Sequence, residues 1–434
     1  MGRVTSLLTD QYELTMLRSA LQSGTADRHA VFEVFGRRLP DGRRYGVVAG
    51  TGRLLEALEH FRFDESVLAY LREREIVDER TAAWLADYRF GGDIWGYPEG
   101  ECYFPGSPIL VVEGTFAEAV LLETLALSIL NHDTAIASAA SRMVVAAADR
   151  PIIEMGSRRT HERAALASAR SAYLAGFAST SNLEAGRLYD IPTRGTSAHS
   201  FTLLHDTEQA AFEAQVAALG AGTTLLVDTY DVHAGVAAAV EAAGPSLGAV
   251  RIDSGDLLML AHDVRAQLDS LGATKTRIVV SGDLDEYAIA SLRAAPVDAY
   301  GVGTSVVTGS GAPTAELVYK LVARSESSDA SSPMVGVAKR SAGKPTHKGR
   351  KWSLRRLDEN DIATGEVIST RSVPEGDAND RPLLVQFVKA GEVIWTEPLS
   401  AARERHARSL AELPPTALKL SRGEPALHTT YEDS

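Results

Sequence analysis

From Pro151 onward the chain alternates short apolar runs with amphipathic stretches, and this alternation restricts the fold more than any other feature. The runs are PIIEMGS, AGFASTS, PTRGTSAHS, TTLLVDTYD, GAVRIDSGD, RIVVSGD, DAYGVGTS and MVGVAKRS, beginning at residues 151, 175, 192, 223, 248, 277, 298 and 334. Segments such as AAFEAQVAALG and LLMLAHDVRAQLDSLG lie between most of them, with apolar residues at helical spacing. A strand followed by a helix cannot return through a tight hairpin, so the repeated unit predicts a parallel sheet covered by helices. Eight such units predict a closed or nearly closed α/β barrel. In each run the apolar residues come first and the polar or glycine residues last, where strand gives way to loop, which in barrels is the active-site face. Gly, Asp and Ser end strands everywhere. A single polar end therefore says little, but six of similar chemistry aimed at one mouth predict a site.

At 434 residues the chain exceeds the size at which a single core stops growing, roughly 250–300 residues, so a second unit is expected. The stretch from Phe90 to Gly114 is cut by Gly and Pro into short apolar runs that suit a small antiparallel sheet. An Ala/Leu-rich stretch from Phe116 to about Ala148 predicts one or two packed helices, and LLVQFVKAGEVIW predicts a hairpin. Residues 9–23 read as a helix, with Asp10 and Glu13 at capping-box spacing and Leu14, Leu17 and Leu21 on one face. Tyr12 points away from that face, as a partner contact or ordinary surface. The expected architecture is an irregular parallel α/β barrel over residues 149–345. A second α+β domain is expected from residues 1–148 and completed by residues 346–434.

The balance of 44 Lys and Arg against 57 Asp and Glu gives a net charge of −13, which argues against long-range attraction to nucleic acid or an anionic membrane. An anionic ligand must then be held by a local cluster. Cys102 is the only cysteine, which excludes an internal disulfide and the simplest zinc–thiolate sites. A reducing, cytoplasmic setting is expected, since the amino terminus lacks a basic region followed by an apolar run and no long apolar segment follows. A basic tract comprising Lys339, Arg340, Lys344, Lys348, Arg350, Lys351, Arg355 and Arg356 reads either as a solvated face or as a supplier of anion affinity.

Within the runs, RIDSGD sets Arg251 and Asp253 on one side of a strand, with Asp256 opening the next helix. Asp253 can accept from two sugar hydroxyls and Arg251 can face a carboxylate or an electron-rich ring; the pair can equally be an internal ion pair. GVGTSVVTG combines Gly301 and Gly303, whose backbone can approach an anion closely, with the hydroxyls of Thr304 and Ser305. SGDLDE repeats the idea with Gly282, Asp283 and Asp285, the two carboxylates being outer partners for magnesium on a diphosphate. EMGSRR presents Arg158 and Arg159 just past a strand, suited to bidentate phosphate recognition or to plain surface charge. GTSAHS places His199 beside Thr196, Ser197 and Ser200; a lone histidine there suits a satisfied core or acid–base role better than a nucleophilic one.

Taken together, TDQYELTM, EGECYFPGSP, ETLALSILN, EMGSRR, STSNLEAG, GTSAHS, RIDSGD, SGDLDEY and YGVGTSVVTG resemble, in this order and spacing, the nicotinate phosphoribosyltransferase family. The resemblance runs from about residue 6 to 356. It implies an enzyme that joins nicotinate to 5-phosphoribosyl 1-diphosphate, releasing diphosphate, with ATP as co-substrate and Mg2+ as cofactor, in salvage of pyridine nucleotides. It implies that His199 is transiently phosphorylated, against the reading of the isolated residue. Nicotinate would meet Tyr12 from a neighbouring subunit of a homodimer, Thr196, Arg251, Met155 and Asn182. Related enzymes carry an aromatic residue at the position of Met155, and nicotinamide-using relatives an acid at that of Asn182. The phosphoribosyl diphosphate would lie on Arg158, Asp253, Gly282, Asp283, Gly301, Gly303 and Thr304, with Asp283 and Asp285 toward the metal.

Three rivals make different demands. A nicotinamide phosphoribosyltransferase should have an acid near position 182, and a quinolinate enzyme would dispense with GTSAHS. A sugar-phosphate lyase or isomerase wants a Schiff-base lysine or catalytic Glu at a strand end, where Lys339 in the eighth run is the one lysine. An idle binding protein would hold phosphate without turnover.

Overall fold

In a computed structural model describing residues 4–329, 331–339 and 347–432, the chain divides into two compact units. One comprises Met1–Ser138 with Thr314–Ser434, the other Ala139–Pro313.

The second unit holds six of the eight predicted strands in one parallel sheet, in the order Ser179–Thr180, Ile152–Glu154, Ala299–Val302, Arg277–Val280, Ala249–Ile252 and Thr224–Leu226. Every pairing is parallel, as strand–helix repeats require. The strands are short and almost continuously buried: Ile152, Leu225, Val250, Ile252, Ile278, Val280, Tyr300 and Val302 make the core, which is what a sheet covered on its faces needs. The sheet is a curled, open half-barrel, and here the expected closure fails for two reasons. PTRGTSAHS contributes only an isolated parallel bridge between Thr193 and Thr180, because its polar residues turn it into loop. MVGVAKRS supplies Met334–Gly336, which pairs antiparallel with Leu317–Ser325 in a sheet of the other unit. Lys339, the one lysine offered for a Schiff base, follows that antiparallel strand and is exposed.

The ends of the parallel strands use paired polar residues in two ways. Asp231, Asp256 and Asp285 each cap the helix that follows, accepting from the backbone N–H of Ala234, Met259 and both Tyr287 and Ala288. Asn182 does the same for Ala185. The carboxylates just before the aspartate caps, Asp228, Asp253 and Asp283, are left for other duties.

The first unit carries a seven-stranded antiparallel sheet drawn from both ends of the chain and a four-stranded sheet built from strands between residues 352 and 431. Asp93–Gly96 and Leu110–Thr115 form the expected antiparallel pair, and Val385–Lys389 with Glu392–Val393 the expected hairpin. The Ala/Leu-rich stretch forms helices Phe116–Val120 and Glu123–Ala147. Helix Gln11–Ser23 buries Leu14, Leu17 and Leu21, but its capping box does not form. Glu13 is buried instead and accepts from the backbone N–H and hydroxyl of Thr124. Among the described residues no helix is long and apolar enough to cross a membrane.

Most of the described basic tract holds this unit together. Arg350 lies over the Trp352 ring, Lys351 donates to Glu33 in a buried pair, and Arg356 donates to Asp380. Arg355 is fully buried and reaches Glu101, Glu366 and the carbonyl of Cys102. Arg381 adds two bonds to Glu101 and binds Glu412. Lys348 and Lys339 are exposed, whereas Arg340 and Lys344 lie outside the described residues. Burial alone would raise the Glu101 pKa, but Arg355 and Arg381 more than offset it and hold it at about 2. The folded value is thus depressed below the ordinary 4.3 or so of glutamate, so this stabilisation is present above about pH 4 and is lost as pH falls toward 2. Glu101→Gln should destabilise the protein by roughly 3–5 kcal/mol at pH 7 and flatten the acid limb of its stability curve, read by urea unfolding between pH 3 and 7.

Candidate active site

Loops at the carboxyl ends of the parallel strands surround a cavity of about 540 Å³ within the second unit. Its position follows from the topology, since every parallel strand delivers its following loop to the same edge.

The loop after Ile152–Glu154 brings in Met155, Ser157, Arg158 and Arg159. Glu154 anchors this loop from below: it is buried, accepts from the backbone N–H of Gly156, and takes the Thr180 hydroxyl proton on its other oxygen. Gly156 is required there, because a Cβ would fall 2.1 Å from Val307 Cγ1. Ser181 enters from the neighbouring strand, and the segment from Arg194 to His199 closes the side left open by the missing strand. Gly301, Gly303 and Thr304 complete the floor. A Cβ at Gly301 would lie 2.8 Å from Met155 Sδ, so the glycine keeps space that a side chain would fill.

Arg251 organises the centre. Its Nε donates to Ser281 Oγ at 2.8 Å, Nη1 to Thr196 Oγ1 at 2.9 Å and Nη2 to Asp253 Oδ1 at 2.7 Å. Ser281 Oγ also donates to Asp253. The pair is therefore internal, as one reading of RIDSGD had it, and it also lines the cavity. Burial works to raise the Asp253 pKa, and the Ser281 and Arg251 donors outweigh it, so the group stays below the usual carboxylate range and ionised at neutral pH. One Asp253 oxygen is thus committed as an acceptor within the site.

Arg158, Arg159 and Arg194 line the same cavity, and among the described residues no side-chain partner is seen for them. With Arg251 they outnumber the lining carboxylates Asp253 and Asp283 by four to two. In a chain of net charge −13 this is a local cationic pocket, with guanidiniums left over to receive an anion bidentately.

His199 begins the short helix His199–Leu203 and is 41% exposed. Its Nδ1 lies 3.1 Å from Thr229 Oγ1, a hydroxyl that can donate or accept. Nε2 in turn lies 4.0 Å from Asp228 Oδ1. The Asp228 side chain is 1% exposed; its Oδ2 accepts from the Asp253 N–H and the Ser254 hydroxyl, while Oδ1 has no hydrogen-bond partner among the described residues. A buried carboxylate aimed at an imidazole nitrogen stabilises positive charge developing on that ring.

The cavity thus gathers His199, Met155, Thr196, Arg251, Arg158, Asp253, Gly282, Asp283, Gly301, Gly303 and Thr304. Asn182 and Asp285 are not among the lining residues; both cap helices. Tyr12 belongs to the first unit, where it is 45% exposed on the side of its helix away from the buried seam. Asp228, Thr229, Ser281 and Arg194 were not singled out by sequence reading. The signal for Asp228 lay in the repetition of VDTYD and IDSGD, where Asp228 and Asp253 hold matching places before the caps Asp231 and Asp256. Among the described residues no three His, Cys, Asp or Glu side chains are grouped to hold a metal ion.

Residues 7–131 match the family model described as the nicotinate phosphoribosyltransferase N-terminal domain. Over 432 residues the chain is 59% identical to the nicotinate phosphoribosyltransferase pncB1 of Mycobacterium tuberculosis, covering 98% of this chain and 94% of that one. It is 36% identical over 394 residues to the nicotinate phosphoribosyltransferase of Bacillus subtilis, covering 88% and 79%. Among solved structures it resembles human nicotinic acid phosphoribosyltransferase, with a TM-score of 0.82 and 25% identity over 98% of this chain and 97% of that chain.

The glycine at position 282 provides a test of how tightly the centre is built. Its φ is +112°, and a Cβ there would fall 2.3 Å from the Asp253 carbonyl oxygen. Gly282→Ala should destabilise the protein by about 2–3 kcal/mol in chemical unfolding, combining backbone strain with overpacking. It should also displace Asp253 and weaken binding of inorganic diphosphate, measured by calorimetry.

Proposed function

Since the chain belongs to the nicotinate phosphoribosyltransferase family, we propose that it joins nicotinate to 5-phosphoribosyl 1-diphosphate in an ATP-coupled reaction, giving nicotinate mononucleotide, diphosphate, ADP and phosphate. The observation that carries this reading is the convergence of Arg251, Asp253, Thr196 and His199 with three further arginines on one cavity.

Displacement at the anomeric carbon runs through an oxocarbenium-like state, so the protein must hold the departing diphosphate and keep the nucleophile in line. The pyridine nitrogen already carries a lone pair, and no strong base is needed. Arg158, with Arg159 and Arg194 beside it, supplies cations for the phosphates. Asp253, ionised and fixed by Arg251 and Ser281, accepts from the ribose hydroxyls. Gly282, Gly301 and Gly303 let the backbone come close to the phosphoribosyl group, with the Thr304 hydroxyl beside them. Thr196 and Arg251 meet the nicotinate ring and carboxylate, and Met155 lies on the floor at Gly301.

Magnesium, when bound, would neutralise the leaving diphosphate. Asp283 fits that task because it lines the cavity, whereas Asp285 spends its Oδ1 on the backbone of the next helix. A single protein carboxylate with most ligands from phosphate and water is the usual magnesium arrangement at such sites.

His199 is the phosphoryl acceptor in this reading. A ring nitrogen attacks the terminal phosphorus of ATP, the bond to ADP breaks, and the ring becomes positively charged, with Asp228 Oδ1 4.0 Å from Nε2 to stabilise it and Thr229 Oγ1 3.1 Å from Nδ1. Water later cleaves the phosphorus–nitrogen bond, releasing phosphate and restoring the imidazole.

Purified protein should turn over nicotinate, and not nicotinamide or quinolinate, with phosphoribosyl diphosphate, magnesium and ATP. His199→Asn should lose acid-labile phosphate on the protein and ATP hydrolysis, while retaining slow transfer that ATP no longer stimulates. Equal turnover of nicotinamide, or undiminished ATP use by the variant, would overturn the reading. We extend it to a homodimer in which the half-exposed Tyr12 of one copy serves the site of the other. Mixing Tyr12→Ala and His199→Asn proteins should then restore ATP-stimulated turnover, because a mixed pair holds one site with neither defect.

A further inference from the structure

Asn182 has both ends of its side chain fixed. Its Oδ1 accepts from the Ala185 backbone N–H at 2.9 Å, and an N–H can only donate, so the amide nitrogen is forced to the other side. There Nδ2 donates to Ser157 Oγ at 3.0 Å. The Asn182 backbone N–H donates to Thr180 Oγ1, whose own proton goes to Glu154, the same buried carboxyl that holds Gly156. Two neighbouring loops are thus tied into one hydrogen-bonded set that ends at Ser157, and Ser157 lines the cavity while Asn182 does not.

A hydroxyl that accepts from an amide must send its proton elsewhere. We propose that Asn182 acts through Ser157, turning that hydroxyl's proton toward the cavity as a donor to an anionic oxygen of a bound substrate and against an amide nitrogen. The proposal rests on the functional reading above and assigns Asn182 a positioning role in place of direct contact with nicotinate. An aspartate at this position would still cap Ala185 but would present an acceptor to Ser157. The serine proton would then turn away from the cavity and leave a lone pair facing it, suited to an amide N–H.

The oxygen bound belongs either to the nicotinate carboxylate or to a phosphate of phosphoribosyl diphosphate. Steady-state kinetics of Asn182→Asp, Ser157→Ala and the double variant, with each substrate titrated in turn, distinguish the two sources. Each single change should raise the KM of the substrate that supplies the oxygen by about tenfold or more, with kcat within about twofold, as loss of a hydrogen bond to a charged group predicts. The double variant should be no worse than Ser157→Ala alone, and Ser157→Thr should restore most of the loss. The change at 182 keeps the cap, so thermal midpoints serve as the control for folding. Unmoved KM values would overturn the proposal. So would multiplying effects in the double variant, because direct charge repulsion from position 182 persists without the serine. Wild-type protein run alongside separates the failures: no turnover of nicotinate there ends the functional reading itself, whereas normal turnover with unmoved variants ends only the relay.

Discussion

The guanidinium of Arg251 is the constraint on which the site depends. One planar fork reaches Ser281, Thr196 and Asp253, groups delivered by three separate segments of the second unit. An ammonium on a flexible stem has no matching set of directions, so the geometry needs arginine as well as positive charge. Because Asp253 is held as an ion by the same contacts, the centre keeps a fixed acceptor beside a fixed donor. Its backbone N–H then reaches Asp228, whose other oxygen faces His199. The Arg251 cluster and His199 are thereby joined through one residue.

The open sheet explains how so many loops meet at one place without a closed barrel. A closed barrel would fill the gap beyond Thr224–Leu226 and Ser179–Thr180 with further strands. Here the segment from Arg194 to His199 occupies the cavity wall as irregular chain, tied by the Arg194 N–H to the Thr180 carbonyl and by the single bridge at Thr193. Backbone freed from a ladder lets Thr196 and His199 approach the centre at angles a strand's alternation would forbid. The loss of regular structure at that position is therefore what makes room for the histidine.

Much of this was legible in the sequence because strand–helix periodicity and strand-end chemistry are both local. Six runs became parallel strands, and the polar ends of five of them line one cavity, to which TTLLVDTYD contributes only Leu226. What escaped depended on contacts distant in sequence. MVGVAKRS has the composition of a parallel strand, yet its partner is Leu317–Ser325, and strand composition does not encode the partner. Glu13 has the spacing of a capping box, but Thr124, 111 residues away, offers it two donors in a buried place. The basic tract reads as a solvated face or an anion site because its carboxylate partners, Glu33, Glu101, Glu366 and Asp380, are scattered along the chain. Asp228 was hidden for a different reason: its significance lies in where Oδ1 points, and a single aspartate in a strand-end motif does not reveal that.

The two units use arginine in opposite ways, and the contrast bears on function. In the first unit Arg355 and Arg381 are matched to Glu101, Glu366 and Glu412, so each charge removed from water meets compensating charge and hydrogen bonds. Such a cluster resists change, since removing any one member strands the others. In the second unit Arg158, Arg159 and Arg194 line the cavity, and among the described residues no carboxylate pairs with them. In a chain of net charge −13 the field of the remaining carboxylates keeps weakly held anions from accumulating. A ligand must then satisfy several guanidiniums at once to be retained, which favours a phosphorylated, diphosphate-bearing molecule over a simple carboxylate.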